Sequence, residues 1–378
     1  MMKKIILGLC ILALSCASGA YAAEQEPIRV GLCVSLSGGA AAYGIHMRNG
    51  AQDAADDINK AGGIQGRKLE LVVEDDAGNP AQASSVLIRM ISQHKVNAII
   101  GGANSTLAFV CKEIAEAQHV PTITTSGSNP KLTGPDNKYF FRLHQSDEIA
   151  ATRAARFFVE KLGLKKIGVL SDTSDFGMGC RDYFVKALED LGVKPVTIQS
   201  FNVGDLDFTP QLLEIKQAGA EGLGLFANLP EASFITRQSR QLGLSSDKFQ
   251  IIMTGIAVPR YIELAPGDTD NVYGVGPFVA TMKEPEAVEY VERYRKEYNM
   301  DPSHHSTNTY QAIVALAKAW EKVGTKDNAA VADALKTVQW DAFGQKGNHF
   351  LSNGQGVLTI YIFQVQDGVW RTSAVQVQ

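Results

Sequence analysis

Two short stretches of the chain concentrate small hydroxyl and amide side chains beside glycines. The first is GGANST at 101–106 and the second is TTSGSN at 124–129, and each directly follows a short apolar run. Hydroxyls in such a setting act as nucleophiles, as hydrogen-bond donors to a ligand, or as caps and turns. Each role requires different residues elsewhere in the chain, and their presence or absence distinguishes the roles.

The demands of a serine nucleophile are poorly met. Such a serine needs a base within reach, commonly on a Gly-x-Ser-x-Gly turn. No such motif surrounds Ser105, Ser126 or Ser128, and the only one of the seven histidines near a strand-end cluster is His46. We therefore predict that the protein is not an enzyme and keep a serine hydrolase using Ser126 or Ser128 as a remote alternative.

Metal and cofactor chemistry lack a recognisable motif. The adjacent pair His304 and His305 does not have the i, i+4 spacing that places two ligands on one helix face, and we predict that both are exposed before a helix. The acidic run at 74–76 is more typical of a solvated loop than of a cation site. No phosphate-binding loop or dinucleotide fingerprint is present, so we expect neither a metal nor a cofactor.

Composition and charge narrow the class of protein. The chain has 378 residues, 45% of them hydrophobic and 20% charged, with a net charge of −4 and no basic block. This composition is typical of globular proteins of two or three domains. Nucleic acid is not an expected partner, because phosphate binding requires clustered Lys and Arg.

The first residues have the pattern of an export signal. A positive start, MMKK, precedes an apolar run at 5–14 and a small-x-small site at 20–22. We predict a signal peptide over 1–22, cleaved near Ala22, and a soluble exported protein. Cleavage before Cys16 with lipid attachment is the alternative, although the preceding ALS fits a lipoprotein signal poorly.

The cysteines beyond this segment do not form a framework. Cys33, Cys111 and Cys180 are odd in number and far apart in sequence, which indicates neither disulfides nor a metal site. We interpret Cys33 and Cys111 as small buried hydrophobic residues.

Strands and helices alternate along the chain in two series. The predicted strands are 28–34, 69–75, 97–102 and 120–125, and then 165–172, 194–202, 221–228 and 249–255. Helices are predicted between them, and three more at 284–299, 306–323 and 328–338, before a β-rich tail at 356–370. This order predicts an α/β fold of two similar lobes, each a doubly wound parallel sheet covered by helices.

The polar stretches fall at the carboxyl ends of these strands, where open parallel sheets bind ligands. A helix begins after GGANST, and its free N–H groups favour an anion. Ser105 as an N-cap and Ser128–Asn129 as a turn are the alternative roles, but two such loops on adjacent strand ends favour a site for a carboxylate. Tyr43 and Phe176 either line this cleft or are buried rings at helix starts.

Several stretches, in order, resemble one family. They are IRVGLCVSLSGGAAAYG, GAQDAADDINKAGGIQGRKLELVVEDDAGNP, AIIGGANS, VPTITTSGSNPKL, FFRLHQSD, IGVLSDTSDFGMG, DFTPQLLEIKQAGAEGL and TRQSRQLGL. The chain is similar to type I periplasmic solute-binding proteins that deliver branched-chain amino acids (Leu, Ile, Val) to ABC importers, over essentially its whole mature length.

The resemblance implies two Rossmann-like lobes that close on a small molecule in the periplasm, as a monomer whose closed form is recognised by an inner-membrane ABC permease. It implies crossings between lobes near 144–147, 275–278 and 344–355. The N-terminal lobe would comprise 23–144 plus 277–347, and the C-terminal lobe 145–276 plus 348–378.

The resemblance also implies the ligand-binding residues. Ser105 and Ser128, with backbone from Ser126 and an open approach at Gly127, would hold the ligand carboxylate. The remaining wall residues would be Tyr43, Ala103 and Asn104 in the first lobe and Phe176, Asn228 and Thr254 in the second.

The chain departs from the family pattern in the second lobe. Thr254 aligns with a Glu that pairs with the ligand ammonium, no acid occurs from 248 to 262, and Phe176 replaces a Tyr. Gly78 and Asn104 replace two half-cystines. A buried ammonium without a carboxylate is costly, although Asp172 or Asp175 is a candidate substitute.

Two ligand interpretations stay open: an aliphatic amino acid, or an aromatic or branched aliphatic acid without an ammonium. A ligand sensor of the same fold, signalling to a partner other than a permease, is the alternative function.

Overall fold

The computed structural model describes residues 26–374 and residue 376. The predicted signal peptide and Cys16 lie outside these residues. Among the helices of the described part, none is long and apolar enough to cross a membrane.

The elements alternate as the sequence predicts. The strands are β1 Ile28–Val34, β2 Leu69–Asp75, β3 Ala98–Gly101, β4 Thr122–Thr124, β5 Phe140–Arg142, β6 Ile167–Asp172, β7 Thr197–Phe201, β8 Gly222–Phe226, β9 Gln250–Thr254, β10 Val272–Gly276, β11 Gln339–Ala342, β12 Gln345–Phe350, β13 Gly356–Val357, β14 Tyr361–Gln366 and β15 Val369–Thr372. The helices are α1 Ala41–Lys60, α2 Pro80–Ser92, α3 Ser105–Gln118, α4 Asp147–Arg156, α5 Asp175–Asp190, α6 Thr209–Gln217, α7 Glu231–Gln241, α8 Pro259–Leu264, α9 Pro285–Tyr298, α10 His304–Val323 and α11 Asn328–Leu335. A 3₁₀ turn lies at Pro130–Leu132, and a π-helical turn at Phe157–Lys161 continues α4.

Two large sheets form the framework. The first has the order β2-β1-β3-β4-β5 and is entirely parallel. The second has the order β15-β14-β10-β9-β8-β6-β7, in which β6 to β10 are parallel and β14 and β15 are antiparallel. A third, small antiparallel sheet contains β11, β12 and β13. The predicted α/β architecture with two doubly wound lobes is confirmed.

The positions of the strands bear on the predicted lobe boundaries. The strands of the first sheet lie within 28–142, and those of the second within 167–276 and 361–372. The small sheet spans 339–357 and so crosses the proposed boundary at 347. The division into 23–144 plus 277–347 and 145–276 plus 348–378 stays a prediction.

Helix α1 packs tightly against α10, and its sequence explains the contact. Met47, Ala51, Ala54 and Ala55 share its buried face, as their spacing predicts. Gly50 lies on the same helix, where a Cβ atom would be 2.0 Å from the carbonyl oxygen of Ser306. The backbones of the two helices therefore approach more closely than any side chain at this position permits.

The substitution Gly50→Ala should destabilise the protein, because α1 and α10 must separate to accommodate the methyl group. We expect a loss of about 1–3 kcal/mol in the free energy of unfolding, the usual cost of overpacking, measured by urea denaturation. Gly134→Ala is the matched control, since a Cβ atom there has no neighbour within 4 Å. Equal stability of both variants would contradict the close approach.

Candidate functional site

A pocket lies between the carboxyl ends of the two large sheets and encloses about 280 Å³ of space, part of it open to solvent. Its wall consists of Tyr43, Ala103, Asn104, Ser105, Ser126, Ser128, His144, Phe176, Asn228, Gly255, Ile256 and His305.

The start of α3 places Ser105 in this wall. The side chain of Asn104, not that of Ser105, caps the helix by accepting from the amide of Leu107 at 3.0 Å. Ser105 Oγ instead accepts from the amides of Ser128 and Asn129, both at 3.2 Å. The interpretation of Ser105 as an N-cap is therefore wrong, and its hydroxyl joins the two polar loops.

Hydrogen bonds give the hydroxyls of Thr124 and Ser126, in the 124–129 loop, a structural role. Thr124 donates to the carbonyl of Gly102 at 3.1 Å, and Ser126 donates to that of Ala103 at 2.7 Å. Within the described residues, no hydrogen bond joins Ser126 or Ser128 to a histidine, so no base is shown to activate either serine.

Gly127 lies in the same loop but does not line the cavity. A Cβ atom there would be 2.5 Å from Cβ of Ala108, so the glycine allows the loop to pack on α3. We predicted instead that Gly127 leaves the backbone open to a ligand.

Arg142, at the end of β5, holds the loop from behind. Its guanidinium is 2% exposed and donates to the carbonyls of Ser128 at 2.8 Å and Asn129 at 2.6 Å. Its Nε also donates to Gln355 at 2.7 Å. Burial lowers the pKa of Arg142 to about 10, so the group keeps its charge at neutral pH and fixes the loop's carbonyls away from the cavity.

The second lobe contributes a weakly polar wall. Phe176 lies near the start of α5, and Asn228 follows β8. The amide of Asn228 donates to Asp172 at 3.1 Å, and the other oxygen of that carboxylate accepts from the amide of Ser174 at 2.9 Å. Asp172 is therefore bonded within its own lobe and does not line the cavity.

Thr254 does not line the cavity either. It is buried at the end of β9, and its hydroxyl lies 3.1 Å from the thiol of Cys180. The next two residues, Gly255 and Ile256, form the wall instead. No acid is among the described residues that line the cavity.

Three polar contacts connect the lobes around the cavity. The amide of Leu229 donates to the Tyr43 hydroxyl at 2.9 Å. The Thr106 hydroxyl donates to the Asp175 carboxylate at 2.9 Å. The side-chain amide of Asn129 donates to the backbone carbonyl of Asp175 at 2.7 Å. These contacts hold the lobes in a closed arrangement.

The prediction that His304 and His305 are exposed is wrong. Their exposures are 0% and 2%, because α10 begins at His304 and brings both rings into the interior. Helical spacing contained the signal: His305, Thr309, Ala312 and Leu316 are at i, i+4, i+7 and i+11, and all are buried.

A histidine cluster consequently occupies the floor of the cavity. Measured between ring centroids, His305 lies 4.7 Å from Tyr43 and 4.1 Å from His304, and His144 lies 5.3 Å from His304. Burial lowers the pKa of His144 to about 4 and that of His305 well below its ordinary value. Within the described residues, no group of three His, Cys, Asp or Glu side chains is arranged to hold a metal ion.

The structure brings together eight of the ten predicted site residues. Those in the wall are Tyr43, Ala103, Asn104, Ser105, Ser126, Ser128, Phe176 and Asn228. The wall residues that sequence reasoning missed are His144, Gly255, Ile256 and His305. Ligand binding by any of these residues stays a prediction.

Known proteins with similar sequences identify the family of this chain. The family model described as periplasmic binding protein matches residues 27–369. The chain belongs to this family. An amino acid binding protein of Pseudomonas aeruginosa is 30% identical over 345 residues, 89% of this chain and 90% of that protein.

Two further relatives carry more specific names. The leucine-, isoleucine-, valine-, threonine- and alanine-binding protein of P. aeruginosa is 29% identical over 335 residues, 87% of this chain and 88% of that protein. The branched-chain amino acid transporter substrate-binding protein of Streptococcus pneumoniae, solved in complex with isoleucine, is 27% identical with a TM-score of 0.85, covering 93% of this chain and 99% of that one. This periplasmic binding protein is therefore of the branched-chain amino acid transporter type, and its relatives are solute-binding proteins.

The buried His144 should make stability depend on pH. Because its pKa is lower in the folded state, the unfolded state binds more protons between pH 6.5 and 4, and the free energy of unfolding falls as the pH drops through this window. Burial raises the pKa of Asp147 to about 6, which acts in the opposite direction, so parent and variant must be compared. The parent should lose on the order of 2 kcal/mol more than His144→Gln between pH 7 and 4.5 in urea denaturation. Parallel pH profiles would refute the effect.

The contact between Thr106 and Asp175 should favour the closed arrangement. Thr106→Val removes the donor, and we expect the open form to gain about 3- to 10-fold in population, equivalent to one partly exposed hydrogen bond. The radius of gyration of the ligand-free protein, from small-angle X-ray scattering, should increase. Asp175→Asn combined with Thr106→Val should add little, because both changes remove one interaction. Unchanged scattering in both variants would show that this contact does not hold the lobes.

Proposed function

We propose that the protein captures a small carboxylate-bearing solute by closure of its two lobes and presents it to an ABC permease of the inner membrane. The observation that carries this proposal is the pair Ser105 and Ser128 in the wall of the cavity between the lobes. Export to the periplasm and action as a monomer are part of the same proposal.

The chemistry of Ser105 supports a donor role. Its oxygen already accepts two backbone N–H groups, and the described residues include no acceptor for its own hydrogen. That hydrogen is therefore free for a ligand oxygen. Ser105 also lies in the first turn of α3, a helix of 14 residues, where the partial positive charge of the free N–H groups favours an anion.

Two observations bear on the ligand and support different interpretations. The names of the relatives, which include leucine, isoleucine and valine binders, support an aliphatic amino acid. The absence of a carboxylate from the described cavity wall supports an acid without an ammonium, because a buried ammonium needs a charged partner. The donor pair at Ser105 and Ser128 serves either ligand.

The substitution Ser128→Ala tests the carboxylate site. A hydrogen bond to a charged group contributes about 1.5–3 kcal/mol, so affinity should fall between about 10-fold and 100-fold. The measurement is calorimetric titration after a thermal-shift screen of amino acids, their deaminated analogues and aromatic acids, using the full chain expressed and purified from the periplasm. The exposed Ser85→Ala is the matched control.

Ser105→Ala is the less clean variant. It leaves the buried amides of Ser128 and Asn129 without an acceptor and should therefore lower stability as well as affinity. Unchanged affinity in Ser128→Ala, with the fold intact, would mean that the carboxylate binds elsewhere.

A further inference from the structure

Three carboxylates near the cavity are already bonded within the protein. Asp172 accepts from Ser174 and Asn228, and Asp175 accepts from Thr106. Glu231, beyond Asn228 in sequence, accepts from the amide of Gly204 at 2.8 Å. None of the three is in the cavity wall, and neither is the buried Asp147, whose backbone amide donates to the carbonyl of Ser128 at 2.9 Å. Among the described residues, the wall itself therefore includes no carboxylate to pair with an ammonium.

His144 and His305 are the titratable side chains in the wall apart from Tyr43, as far as the described residues extend. Their rings are nearly parallel, with an interplanar angle of 14° and centroids 6.2 Å apart. They come from different parts of the chain, His144 from the segment after β5 and His305 from the start of α10. The fold thus brings two imidazoles together at the floor of the cleft.

Ring nitrogens of this pair lack hydrogen-bond partners. Nε2 of His144 and both ring nitrogens of His305 are buried, and among the described residues none has a partner. A buried polar group left in this state costs about 1–3 kcal/mol, and native structures rarely contain one without a reason such as a bound molecule. Among the same residues, both nitrogens of the neighbouring His304 also lack partners, but His304 lies outside the wall. His144 and His305 are part of the wall, where a ligand is able to supply the missing partner.

The charge state of the pair restricts that ligand. Burial and the neighbouring imidazoles of His304 and His144 keep His305 neutral at physiological pH, and burial and the Arg142 charge do the same for His144. A neutral imidazole has one N–H donor and one acceptor nitrogen. Two such rings match a hydroxyl or carbonyl oxygen, which donates or accepts without bringing a charge, and they do not neutralise an ammonium.

We propose that His144 and His305 are the specificity-determining residues of this binding protein, and that they select carboxylates carrying a second, uncharged oxygen group. This inference rests on the proposed function, since Ser105 and Ser128 hold the carboxylate. The second group is a hydroxyl or a carbonyl, and the ligand class is hydroxy acids or oxo acids.

Two matched series of acids test the selection by calorimetric titration of the full chain purified from the periplasm. The first is leucine, 2-hydroxy-4-methylpentanoate, 4-methyl-2-oxopentanoate and 4-methylpentanoate, which differ only at carbon 2. The second is 4-hydroxybenzoate and benzoate. In at least one series an oxygen-bearing acid should bind at least 10-fold more tightly than every other acid of that series.

Variants of His305 connect this preference to the imidazoles. His305→Phe keeps a ring but removes both hydrogen-bonding nitrogens, and should bring the preferred acid to the affinity of its analogue without the oxygen. His305→Gln, which retains a donor and an acceptor, should restore part of the preference. His144→Met is the second variant if His305→Phe does not fold. His46→Leu, at a buried histidine outside the wall, is the matched control and should keep the preference.

The outcomes separate this inference from the proposed function. If leucine binds most tightly, or if the His305 and His144 variants keep the preference, the inference is overturned while carboxylate capture stands. If Ser128→Ala leaves affinity unchanged, the carboxylate site itself is misplaced. If no acid of either series binds, both proposals are overturned.

Discussion

One buried guanidinium determines the shape of the candidate site. Arg142 donates to two successive carbonyls of the 124–129 loop and to Gln355, and Gln355 Nε2 in turn donates to the carbonyl of His144 at 2.9 Å. A charge in this position is expensive to bury, and its pKa falls to about 10 as a result. The hydrogen bonds of this one side chain offset the cost, and they fix the polar loop, the segment after β5 and the segment after β12 relative to each other.

The contacts between the lobes are of a different kind. The hydrogen bonds at Tyr43, Thr106 and Asn129 are few, and Thr106 and Asp175 are only partly buried. Each contributes about 0.5–1.5 kcal/mol in net terms. The closed arrangement without a ligand is therefore only modestly favoured, and a molecule that contacts both walls shifts the population by its differential affinity for the closed form. Capture of a ligand by closure requires this combination of rigid lobes and weak contacts between them.

The sequence predicted those strands and helices whose signals, a periodic apolar pattern or a capping residue, lie in their own residues. The boundaries of β1 and β2 were predicted to the residue, because their apolar runs lie within the elements themselves. It did not predict the three-residue β5, which is too short for a periodic pattern. It also placed Thr254 in the wall, since successive residues at the end of a strand face opposite directions and an alignment without coordinates does not distinguish Thr254 from Gly255.

The histidines show why polarity of a residue does not predict exposure. The sequence alone suggests that His304 and His305 are solvated. They are buried because α10 packs against α1 beneath the cleft. Once the pair is inside, most polar groups of the site lie on the first lobe and the cleft floor, while the second lobe adds Phe176, Ile256 and one polar residue, Asn228. A ligand held in this way would bind the first lobe through its oxygens, and the second lobe would close over its apolar side and remove it from water. Affinity would then come from neutral hydrogen bonds strengthened by burial, which is the setting in which an extra charge on the ligand costs most.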